Sequence, residues 1–153
     1  MQKKVLKFSA SECWKVSAPK DAAPFLRALA DLAPEGSILY LESGGSPPDP
    51  VKLFLLSIKL EDHIGISGGT LLPTPRIYKF PLTRGNLETL AQLQEKYPTP
   101  VGSVHIHIYK GEKVLLWGYD AFLDPIFISK AIPEKNVRTF CRTLGLRRDD
   151  AEN

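Results

Sequence analysis

The sequence predicts an α+β fold: one domain, a mixed sheet that includes a β-hairpin over about 103–119, and about four helices packed on it. Three observations predict it. Val104-His105-Ile106-His107-Ile108-Tyr109 alternates strictly, and a second apolar run, Val114–Tyr119, follows after Lys110-Gly111-Glu112-Lys113. That is the pattern of a hairpin with Gly111-Glu112 as its two-residue turn. Amphipathic runs at helical spacing lie between the extended segments. The hairpin interrupts the alternation of helix and strand, which argues against a purely parallel, doubly wound sheet.

The elements follow in order. Val5–Phe8 reads as a short strand. A helix runs from about Asp21 to Leu32, because Phe25, Leu29 and Leu32 recur at helical spacing with Ala22 and Leu26 beside them; Pro34 and Gly36 stop it. Ser37–Leu41 reads as a buried strand, and Ser43–Pro48 as a loop. Asp49-Pro50 reads as a helix start, a capping side chain followed by proline at the first helical position, and the apolar run Val51–Ile58 follows. Ile64 and Ile66 alternate with small residues. Gly68-Gly69, Pro73 and Pro75 then suggest a long connection. Arg76–Leu82 looks extended, with Pro81 placing its end at a sheet edge. Thr83 or Asn86 caps a helix bearing Leu87, Leu90, Ala91 and Leu93, which ends by Pro98 and Pro100.

In the hairpin, the two-residue turn sets Ile108 opposite Leu115, Ile106 opposite Trp117 and Val104 opposite Tyr119. These pairs are expected on the core face. His107 then faces Leu116, and His105 faces Gly118, on the other side. Ile126–Ser129 forms a further strand. The last helix begins at Pro133, with Val137, Phe140, Cys141 and Leu144 as its stripe, Gly145 as the C′ residue, and Arg147 and Arg148 complementing the dipole. The domain spans 1–148, and 149–153 is a frayed tail.

The composition excludes several classes. A chain of 153 residues can bury a sufficient core without disulfides or metals. Twenty basic and 17 acidic side chains, a formal net charge of +3, are too balanced to make nucleic acid or an anionic membrane an obligatory partner. No segment has the length of a membrane span, and the basic opening lacks the apolar core of a signal peptide. Cys13 and Cys141 stand alone, as reduced thiols do, so the expected compartment is the cytoplasm.

Five features could carry chemistry. His105 and His107, two apart on a strand, share a face and could ligate a transition metal or serve as acid and base. His63, Glu112, Asp120 and Asp124 are the available third ligands, and Gly118 opposite His105 leaves room for a ligand. Gly65-Ile66-Ser67-Gly68-Gly69 matches a nucleophile elbow, but that motif needs a helix after the serine, and Thr70–Pro75 cannot form one. Glu42-Ser43-Gly44-Gly45 ends a strand, where ligands of α/β sheets bind, yet no phosphate-loop signature follows. Lys135, Arg138 and Arg142 form a basic helix face for phosphates or an acidic protein; no aromatics interleave with them to stack on bases. Trp14, Tyr78, Tyr97, Trp117 and Tyr119 read as core anchors.

No motif identifies a reaction. The expected function is a non-catalytic binding or interaction module with a protein or small-molecule partner; a partner-neutralising protein of the immunity type is one concrete form. The alternative is a small metal-assisted or acid–base enzyme centred on His105 and His107. Nucleic-acid binding through the last helix ranks below both.

Overall fold

A computed structural model describes residues 4–43, 45–66, 76–98 and 104–149. The strands are β1 (Lys4–Leu6), β2 (Cys13–Val16), β3 (Ile38–Ser43), β4 (Ile64–Ile66), β5 (Arg76–Pro81), β6 (Val104–Lys110), β7 (Lys113–Gly118), β8 (Ile126–Ser129) and β9 (Arg148–Asp149). The helices are α1 (Ala22–Leu32), α2 (Asp49–Ser57), α3 (Arg84–Lys96) and α4 (Glu134–Leu144), with a 3-10 turn at Ala10–Glu12. The α+β class and the four helices agree with the sequence reading. The mixture of strand directions is divided between two sheets. Seven strands form one antiparallel sheet in the order β5-β3-β6-β7-β8-β2-β9, and β1 and β4 pair in parallel as a separate ribbon.

Local chemistry marks the start of α3 and the end of α4. The Thr83 side chain accepts the Asn86 backbone N–H at 3.1 Å and caps α3, the first of the two expected caps. Gly145 ends α4 at φ 67°, in the left-handed region, and the Leu146 N–H closes back on the Cys141 carbonyl at 2.9 Å. At α2 the expectation needs correction: Pro48 is the N-cap, and Asp49 is already helical and makes no side-chain cap.

All four helices lie on one face of the sheet. Leu39 and Leu41 of β3, Phe80 of β5, Ile106 and Ile108 of β6, Leu116 of β7, and Ile126 and Ile128 of β8 point to that face and pack with the helices' apolar stripes. Phe25 of α1 is fully buried there and meets Phe122 and Phe140 edge-on at 5.7 and 5.9 Å, joining α1, α4 and the loop after β7.

The second face is covered as well. Leu6 of β1 and Ile66 of β4 are buried with Tyr40 and Tyr109 of the main sheet, and Ile38, Ile77 and Trp117 pack around them. Asp62 fastens this ribbon. It receives the Lys79 ammonium, the Tyr109 hydroxyl at 2.5 Å and the Ile64 N–H at 3.0 Å, and Lys79 also donates to the Ile64 carbonyl at 2.8 Å. Burial opposes the ionised Asp62, but these donors outweigh it and hold the carboxyl below its usual range. Phe8 adds a stacked contact on Trp117, with centroids 4.7 Å apart.

The hairpin turn is as expected, but its register is not. Gly111 has φ 61° at the first turn position, as a type II′ turn asks, and Lys110 pairs with Lys113. The register then shifts between Ile108 and Tyr109: Tyr109 opposes Val114, whereas Ile108 opposes Leu116. Leu115 is the extra residue of a β-bulge. Beyond a bulge, each pair changes partner by one, and the alternation changes face. Ile106 therefore opposes Gly118, and His107 opposes Trp117. Trp117 lies on the histidine side of the sheet and not on the helix side as expected. Tyr119 follows it there, its ring stacked on His105 at 4.0 Å. Gly118 accommodates the close approach: a Cβ there would stand 2.8 Å from the Ile106 carbonyl oxygen.

Two strands were not anticipated. Cys13–Val16 pairs antiparallel with Ile126–Ser129, and Arg148–Asp149 pairs with Val16 and Lys15. Asp149, expected to belong to a frayed tail, is thus a strand residue, and 150–153 lie outside the described residues.

Candidate functional site

The inner face of the sheet and three helices line an open cavity of about 700 Å³, within the range of small-molecule sites. Its floor is Leu41 of β3, Ile106 of β6 and Tyr78 of β5; Ala23 and Leu26 of α1, Val51 and Leu55 of α2, and Leu90 of α3 form the walls. The helices are placed to leave this space. α1 and α3 are tied together by Arg27, whose Nε and Nη2 fork onto Glu88 at 2.9–3.1 Å while Nη1 and Nη2 reach Glu95 at 3.2 and 3.0 Å. The guanidinium holds both carboxyls below their usual range, chiefly through these hydrogen bonds. α2 forms another wall. Its two buried residues, Val51 and Leu55, both line the cavity, and Leu53 and Leu56 face solvent.

Polar groups occupy the rim. Lys20, Asp21, Ser46 and Glu95 are exposed, and Ser43 and Gln94 are half-buried. Of the expected strand-end residues that the structure describes, Gly45 and Ser43 line this cavity, Ser43 as the last residue of β3. Its hydroxyl donates to the Gly45 carbonyl at 2.8 Å and accepts the Gly45 N–H at 3.3 Å, which shapes the loop. Glu42 points to the opposite face, buried, and opposes His105 across the β3–β6 pair. Gly44 lies outside the described residues, as do Ser67, Gly68 and Gly69 of the nucleophile-elbow pattern.

His105 and His107 do share a face, but it is not an open one. They are 5% and 1% exposed. His105 Nδ1 accepts the Asp120 N–H at 2.9 Å, and His107 Nδ1 accepts the Gly118 N–H at 3.2 Å. An imidazole accepting at Nδ1 keeps its proton on Nε2, so these Nδ1 lone pairs are committed to backbone amides. Burial, with a smaller contribution from His105, pushes His107 down to about 3, so its ring is neutral near neutral pH. Asp120, the donor to His105, is itself held at φ 49°. Among the described residues no three of His, Cys, Asp and Glu converge as metal ligands.

The basic residues of α4 are exposed as expected. Arg138 lies 4.0 Å from Glu134 one turn earlier, and the Lys135 carbonyl accepts the Thr139 hydroxyl at 3.0 Å. Of the aromatic set, Tyr78 is buried in the core, Trp14 and Tyr97 pack against it, and Arg148 lies over the Trp14 ring at 5.4 Å. Cys13 is half-buried, and burial, then Glu12, pushes its thiol up to about 11.

The cavity walls were not anticipated as a site. The one available signal was α2, where Val51, Leu53, Phe54, Leu55 and Leu56 are too many apolar residues for a single stripe in so short a helix. Among the described residues no helix is long and apolar enough to cross a membrane. No protein-family model, no curated protein and no solved structure matches this chain.

Proposed function

We propose that this domain is a non-catalytic binding module for a small, predominantly apolar molecule held between the sheet and α1, α2 and α3. The observation that carries the reading is the cavity of about 700 Å³ with hydrocarbon walls and a polar rim. The space is open to solvent, so its apolar wall stays wetted, and a ligand that covered it would gain the hydrophobic contribution of the area it buries. The acid–base alternative at His105 and His107 has less support, because both rings are buried and their Nδ1 atoms already serve backbone amides. Glu42, facing His105, belongs with that structural layer. The basic face of Lys135, Arg138 and Arg142 is assigned to solvent.

The test is titration with the neutral fluorescent probe N-phenyl-1-naphthylamine. Saturable one-to-one binding with enhanced emission is expected for the parent protein. Leu55→Trp fills the space from the α2 side. It is expected to weaken the probe at least about tenfold, a loss of about 1.4 kcal/mol, with little change in unfolding midpoint. If the parent protein does not bind the probe, or if Leu55→Trp binds it equally well, the reading fails.

A further inference from the structure

We infer that the Tyr78 hydroxyl orients the ligand of this cavity, and that the ligand carries a hydrogen-bond acceptor on its apolar body. The inference rests on the binding reading above and names the side chain and the ligand group that meet at the floor.

Tyr78 stands in the middle of β5. Its register partner is Leu41 of β3, and Leu41 opposes Ile106 of β6, so the three side chains form one row across the sheet on the helix side. All three line the cavity. Leu41 and Ile106 end in hydrocarbon, whereas Tyr78 ends in a hydroxyl. The other polar side chains of the lining are exposed or half-buried; Tyr78 is 5% exposed.

A buried tyrosine hydroxyl usually finds a partner in the protein. That of Tyr78 makes no hydrogen bond among the described residues, and it is not sealed inside the protein either. It meets the open space of the cavity, where water can serve it. A ligand that covers the floor displaces that water. A ligand of hydrocarbon alone would leave the hydroxyl desolvated with its proton unplaced, which is costly. A ligand group that only donates would leave the same proton unplaced. An acceptor, such as a ketone, ether or ester oxygen, takes it and fixes how the apolar body lies over Leu41 and Ile106. A site built around such a hydrogen bond rejects the analogue that cannot make it.

Naphthalene and 2-acetylnaphthalene share one ring system and differ by an acceptor. Each is used to displace N-phenyl-1-naphthylamine from the full chain, in the parent protein and in Tyr78→Phe, which keeps the ring and removes the hydroxyl. Tyr78→Phe is expected to weaken 2-acetylnaphthalene about fivefold, the loss of one ordinary hydrogen bond, and to bind naphthalene at least as tightly as the parent. An equal loss for both probes would overturn the inference, because the hydroxyl would then serve the fold and not the acceptor. No loss for 2-acetylnaphthalene would overturn it too, as would failure of both probes to displace the dye. Those results leave the binding reading standing, whereas failure of the dye itself to bind removes both.

Discussion

Acidification from about pH 7 to about pH 5 is expected to remove about 2 kcal/mol of stability through His107 alone. The ring is 1% exposed, and desolvation, then His105, depress its pKa from 6.5 in the unfolded chain to about 3 in the fold. The sign follows from proton uptake. As pH falls through the unfolded value, the unfolded chain binds a proton that the native ring refuses, so the contribution is complete above that value and is lost below it. Near pH 5 the unfolded histidine is almost fully protonated and the native one is not. The gap of about 1.5 pH units below the unfolded pKa, at about 1.4 kcal/mol per unit, gives the figure stated. The loss reaches its limit as pH approaches the native value. The assay is urea unfolding at both pH values, with the slope checked for constancy. His107→Asn is the control, because an amide oxygen can still accept the Gly118 N–H but does not titrate. If His107→Asn loses as much stability as the parent over this range, the dependence lies elsewhere and the reasoning about His107 is wrong.

Gly118→Ala places a Cβ against the Ile106 carbonyl and is expected to destabilise by about 1–3 kcal/mol in the same urea assay. Asp62→Asn removes the charge that Lys79 faces and is expected to cost about 1–3 kcal/mol. Native-state hydrogen exchange should show protection lost in β1 and β4 while β3 and β6 keep theirs. Asp62 also makes stability fall in strong acid: its depressed carboxyl contributes fully above the unfolded carboxylate pKa and is lost as pH drops through the native one. Cys13, pushed up to about 11, is expected to react with iodoacetamide at about pH 8 roughly a hundredfold more slowly than in urea, which thiol-labelling mass spectrometry will measure.

Much of the scaffold was legible because its signals are local. Phe25, Leu29 and Leu32 mark α1 by spacing, Thr83 and Gly145 mark helix ends by backbone chemistry, and Gly111-Glu112 marks the turn. What was missed depends on partners distant in sequence. Cys13–Val16 has little strand character of its own and is a strand because Ile126–Ser129 lies beside it. The alternation around His105 and His107 suggested one buried and one wet face, but β6 is an interior strand and the β1–β4 ribbon covers much of its second side. The bulge at Leu115 leaves no compositional mark, so Trp117 and Tyr119 were assigned to the wrong face. Of the candidate site, Ser43 was picked out as a strand end, by a rule for parallel sheets that does not govern this antiparallel one. The cavity was not, because an empty volume is a property of how α1, α2 and α3 are spaced and not of any residue in them.

The pairing of β2 with β8 and β9 also dictates an order of assembly. β6 and β7 join through a two-residue turn, and such a hairpin closes in microseconds. β3 and β5 can then extend the sheet from the β6 side. β2 has no sheet partner until Ile126–Ser129 is in place, and Val16 and Lys15 also wait for Arg148 and Asp149. The loop that must close is nearly the whole chain, and such contacts slow folding because their entropy is lost before they repay it. During synthesis the segment Cys13–Val16 leaves the ribosome early and joins the sheet late, with Trp14 and Val16 uncovered in the interval.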